Sequence, residues 1–106
     1  MALPTFQAAG TPATSVAEIT PAWPTHQADD IGLLFVESRQ GASAPTDWTE
    51  VADSPQTGGS GVGATFLNIF WRRAADDSEG DPTVADTGSH TYGVILTFRG
   101  CIATGD

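Results

Sequence analysis

Three groups of side chains in this 106-residue chain are of types that could do chemistry. The first is His26 and His90 with the single cysteine, Cys101. A histidine–nucleophile pair needs a motif that presents the nucleophile. Thr25-His26-Gln27 and Ser89-His90-Thr91 instead read as turn residues, and Cys101 lies in no active-site motif. The second is the acidic cluster Asp76-Asp77-Ser78-Glu79-Gly80-Asp81. Calcium takes several oxygen ligands, but the alternating acids and distal glutamate of an EF-hand are missing, so solvated loop charge is the better reading. The third is the glycine-rich run Thr57–Ala64. A phosphate loop needs a lysine, and the chain has none. The run also leads into a strand, whereas a dinucleotide fingerprint needs a helix N-terminus facing the pyrophosphate. No catalytic, cofactor or metal residue is assigned, no cofactor is expected, and the chain is not expected to be an enzyme.

Aromatic side chains offer a fourth chemistry, the stacking of sugars. Trp71 and Tyr92 fall inside apolar strands, where core packing is expected. Trp23 and Trp48 lie near prolines and are the candidates for glycan contact.

The elements that must position these residues are strands. Apolar runs cover Ile31–Ser38, Thr65–Arg73 and Thr91–Arg99, each ending at or just before an arginine. Ile31–Ser38 is apolar on both faces, which predicts a central strand covered on both sides. In Thr65–Arg73, Phe66 and Phe70 share one face with Asn68, and Leu67, Ile69 and Trp71 take the other. A buried Asn68 would have to be hydrogen-bonded. In the last run Tyr92, Val94, Leu96 and Phe98 share a face, and Gly93 marks a bulge or a close backbone approach. Shorter strands are predicted at Thr14–Ile19, Trp48–Val51 and Pro82–Ala85. No window carries a helical period, and Gly, Pro and Asp turns separate the strands. The predicted fold is all-β, an antiparallel β-sandwich or jelly-roll-like domain. Its few strands suggest completion by further strands or by a neighbouring chain.

Two regions are expected, a proline-rich extended arm at 1–24 and the β domain at 25–106. Four of the seven prolines lie in the first region. Its side chains Pro4, Phe6, Pro12, Val16, Ile19 and Trp23 are the candidate interface. Arg39, Arg72, Arg73 and Arg99 are expected to pair with loop acids such as Asp47, Asp53, Asp76 or Asp77.

Composition narrows the function classes. Thirteen acids against four arginines give a net charge of −9. No basic stripe is available to displace counterions from phosphates, and the field repels nucleic acid and anionic membranes. One cysteine permits no intrachain disulfide. No signal-peptide pattern opens the chain, and no apolar run is long enough to span a bilayer.

Four strings form a recognisable set: Asp29-Asp30-Ile31-Gly32-Leu33-Leu34-Phe35-Val36, Asp47-Trp48-Thr49, Ile69-Phe70-Trp71-Arg72-Arg73-Ala74 and Thr97-Phe98-Arg99-Gly100. Together they resemble a β-sandwich module of virion proteins from tailed bacteriophages and prophages, over about residues 14–101. Asp47 departs from that pattern, which has glycine before the tryptophan. The resemblance implies a structural protein of the virion, a capsid decoration or cement protein or a head-fibre base. It would clamp neighbouring subunits through the arm and a sheet edge. The implied partners are the major capsid protein or other virion subunits, with homo-oligomerisation. The implied location is a particle released by lysis. A tail or receptor-binding module recognising host glycan is the alternative.

Overall fold

The computed structural model describes residues 3–101, the Val62 side chain excepted. Among the described residues seven strands form: β1 (Thr5–Ala9), β2 (Ala13–Ser15), β3 (Ile31–Ser38), β4 (Thr49–Glu50), β5 (Gln56–Gly58), β6 (Thr65–Arg73) and β7 (Thr91–Arg99). The three long ones are the three apolar runs, where β-branched and aromatic residues fit a pleated surface. All pairings are antiparallel, in the order β1-β7-β3-β6-β4, with β2 also on β7 and β5 also on β6. The all-β antiparallel expectation therefore holds, and the arrangement is consistent with a β-sandwich.

The centre of the sheet is β7-β3-β6, with each edge made of two short strands. β1 and β2 divide the length of β7, with a register shift between Phe6 and Ala8. β4 and β5 divide the length of β6. Residues 5–15, expected in an arm, are extended and pair with their own chain. β1 and β5 are not legible in the sequence because their residues are mostly polar or small. Pro82–Ala85 contributes a single bridge, Val84 to Ile19.

One face of the sheet is covered. Leu34, Val36, Phe70 and Ile95 project from it and are fully buried. Ile19, Trp48 and Val84 close over them, with Trp23 and Ala42 packed alongside. Burying each large side chain contributes about 1.5–3 kcal/mol. Asn68 sits on this face, 2% exposed. Its amide nitrogen donates to Glu50 Oε2 at 2.7 Å, and its carbonyl oxygen accepts from the Ala42 amide at 3.0 Å. The buried amide is thus satisfied, as its place among apolar neighbours required.

Two glycines let the cover come close. A Cβ on Gly93 would stand 2.7 Å from Ile19 Cδ1, and one on Gly32 would stand 2.6 Å from the Trp23 ring. Gly93 is therefore a close approach, one of the two readings its position allowed. Above Gly32, Trp23 packs between His26 and Trp48, with ring centroids 4.6 and 5.3 Å apart.

Asp47 forms the turn before Trp48. Asp47 has φ 69°, the left-handed region that aspartate tolerates better than most residues. The Trp48 amide then donates to the Pro45 carbonyl at 3.0 Å.

Gly32→Ala should force the aromatic stack off the sheet and lower stability by about 1–3 kcal/mol in urea titrations. Gly80→Ala, whose Cβ would meet open space, should stay within about 0.5 kcal/mol of the parent. Equal effects from the two substitutions would show that Gly32 does not seat the cover.

Candidate interaction surface

The residues singled out for chemistry are largely occupied in holding the cover. His26 is buried, its Nδ1 is 2.8 Å from the Pro24 carbonyl, and its Nε2 accepts from the Glu79 amide at 3.1 Å. That pairing places the proton on Nδ1. His90 lies on the surface, 3.0 Å from Glu37 Oε1. Cys101 is a free, partly exposed thiol just beyond β7.

The acidic loop is also tied down. Asp76 accepts from the Ser78 amide, Asp81 accepts from the Trp23 amide at 2.9 Å, and Glu79 accepts from Arg72 Nε at 2.7 Å and from the Ala75 amide. Burial pushes the Glu79 carboxyl up, but the Ala75 amide and Arg72 outweigh it and leave it below the ordinary glutamate value. Among the described residues no group of three or more His, Cys, Asp or Glu side chains is placed to hold a metal ion. Two shallow clefts flank this loop. One of about 380 Å³ is lined by Trp48, Arg72 and Glu79, and one of about 470 Å³ by Trp23, His26 and Asp77.

The arginines are strand-end clamps. Arg99 Nε and Nη2 each donate to one oxygen of Asp30 at 2.8 Å, a two-pronged pair. Asp30 is only 1% exposed and also accepts from the Gln27 amide. The Arg99 hydrogen bond, with the Gln27 amide, holds the Asp30 carboxyl below its ordinary value against the upward push of burial. Arg72 reaches Asp47, in line with the sequence, and also Glu79, which the sequence does not signal. Arg73 donates to the Asp29 carbonyl, and Arg39 to the Gly61 carbonyl.

The candidate interface residues divide. Pro4, Phe6, Pro12 and Val16 are exposed, Phe6 by 57% and Val16 by 79%. Ile19 is 3% exposed and belongs to the core, because Gly93 admits it against the sheet. The candidate glycan contacts do not form a platform. Trp48 is 6% exposed beneath its turn, and Trp23 packs at a tilt between Trp48 and His26.

The largest feature is the second face of the sheet. β3 presents Ile31, Leu33 and Phe35 there, β6 presents Leu67, Ile69 and Trp71, and β7 presents Val94, Leu96 and Phe98. All nine are partly exposed and none belongs to the core cluster. Registry makes them one grid: Leu33 lies between Trp71 and Leu96, and Phe35 between Ile69 and Val94. Phe6 extends it, edge-on to Phe98 at 5.8 Å. The expectation that β3 is covered on both sides is thus corrected, since among the described residues a cover lies on one side and the other side chains of β3 are partly exposed. Trp71 and Tyr92, expected in a core, stand on the open side, Tyr92 at 41% exposure. A contiguous, partly exposed apolar surface of this kind is a candidate interaction site.

No family model, no curated protein and no solved structure matches the chain.

The Asp30–Arg99 pair makes a pH prediction. A carboxyl depressed on folding contributes stability that is present above the ordinary aspartate value of about 3.9. That contribution is lost as pH falls below this value through the depressed folded one. Asp30→Asn should lower the melting temperature at neutral pH by about 5 °C or more. The gap between parent and variant should narrow below about pH 4. A pH-independent gap would show that the pair acts by shape alone.

Proposed function

We propose that this protein is a non-enzymatic structural subunit of a tailed-phage virion, a capsid decoration or cement protein or a head-fibre base. The observation that carries the assembly part is the open apolar face of β3, β6 and β7. A grid of nine large apolar side chains gains on the order of 1 kcal/mol per residue when a protein surface covers it. The motif set running from Asp29 to Gly100 supports the virion part. A charge of −9 suits a component that must stay apart from nucleic acid while the particle is packed.

The geometry favours this face as the contact, with Pro4 and Phe6 at its margin. The sheet edges are less suited to the role. β1 and β2 are separated by Pro12, and β4 and β5 by the Val51–Pro55 break, interruptions that blunt an edge against strand addition. The glycan reading loses its motive, since Trp48 is buried and Trp23 is stacked within the cover.

Density-gradient-purified particles of a phage encoding this chain should contain it at a fixed ratio to the major capsid protein. Leu96→Lys, on the open face, should reduce its occupancy at least tenfold while leaving far-UV circular dichroism unchanged. Particles that lack the protein, or that hold the variant at full occupancy, would overturn the proposal.

A further inference from the structure

We infer that His26 is a pH-sensitive latch: a proton gained by its imidazole releases the backbone of the acidic loop at Glu79 from the cover. This inference stands apart from the virion reading and assigns the fold a conformational device.

The geometry of the neutral ring is the first argument. Its Nδ1 donates to the Pro24 carbonyl at 2.8 Å, within the cover, and its Nε2 accepts from the Glu79 amide at 3.1 Å, across to the loop. Nε2 is the ring atom that can take a further proton, and its lone pair is the one that holds Glu79. Protonation therefore sets two N–H groups against each other. Turning the ring over does not restore the bond, because both nitrogens of an imidazolium are donors. The bond to Pro24 and the contact with Trp23, 4.6 Å between ring centroids, both survive the added charge, so the ring stays and the loop moves.

The surrounding charge is the second. Asp77, Glu79 and Asp81 line the same cleft as His26, and Asp30 lies near enough to feel the ring's charge. These acids outnumber the arginines paired with them, Arg72 at Glu79 and Arg99 at Asp30. An imidazolium thus has carboxylates to face once the Glu79 amide has moved aside. The Glu79 and Asp30 carboxyls are both held below their ordinary values, so neither changes charge in the range where histidine does.

The remaining ties make the release local. Asp81 still accepts from the Trp23 amide, the Glu79 carboxylate still holds Arg72, and the Asp29 amide still donates to the Ala74 carbonyl. The moving part is the bend from Asp77 to Gly80, where a Cβ on Gly80 would meet open space. Its displacement widens the cleft between Trp23 and Asp77.

An NMR titration from about pH 8 to about pH 5, the range in which histidine changes charge, tests the latch. The Glu79 amide should shift with the same midpoint as the His26 ring protons. Its hydrogen-exchange protection, corrected for the intrinsic pH dependence of exchange, should fall roughly tenfold, the equivalent of one net hydrogen bond. His26→Gln should abolish the pH dependence of the Glu79 amide, and His90→Gln should leave it intact. If His26→Gln misfolds, the coincidence of the two midpoints in the parent carries the test. A His26 ring that titrates while the Glu79 amide keeps its protection overturns the inference. So does a ring that stays neutral down to about pH 5, or a Glu79 response that persists in folded His26→Gln. Each of these results leaves the virion proposal standing.

Discussion

The β7-β3-β6 sheet is apolar on both faces, and among the described residues only one of them carries a cover. Most other features of the molecule follow from how that cover is built. The segment from Val16 to Asp30 must cross the sheet at close range, so Gly93 and Gly32 leave room for Ile19 and Trp23. It must then be anchored where it joins β3. There the buried Asp30 carboxylate takes both prongs of Arg99 at the far end of β7. The Asp30 carbonyl also accepts from the Ala74 amide just past β6. A single aspartate thus ties the cover to both neighbours of β3. His26 and Glu79 extend the tie to the acidic loop.

Much of this architecture is legible in residue types. The three long strands keep the bounds of their apolar runs, because such side chains favour extended backbone wherever they are buried. The short edge strands are not legible, because Thr5–Ala9 and Gln56–Gly58 owe their conformation to backbone bonds with β7 and β6. Asp47 reads in the sequence as part of a turn, and its backbone lies in the left-handed region. Trp48 reads as exposed beside its prolines and is buried, because that turn points it inward. Asp30 reads as turn punctuation, since nothing local reveals a partner 69 residues away.

The interaction surface is half legible. Alternation on β3 correctly indicates two apolar faces, but an apolar face reads the same whether its cover comes from its own chain or from another. Only the placement of Ile19, Trp23, Trp48 and Val84 on one side distinguishes them. The same placement removes some of the residues that the sequence offers for partner and glycan contact. Ile19 and Trp48 are core, while Phe35, Trp71 and Phe98 on the other face of the sheet stay partly exposed. The proposed assembly role would make physical use of such a face, since water is a poor partner for it.

Carbene footprinting read by mass spectrometry follows both faces of β3 in one experiment. In dilute solution Leu33 and Phe35 should be labelled while Leu34 and Val36 stay protected. When a partner covers the second face, the first pair should lose label and the second should not change. Equal protection of all four residues in the dilute monomer would contradict an open second face, because the chain would then cover both sides of β3 itself.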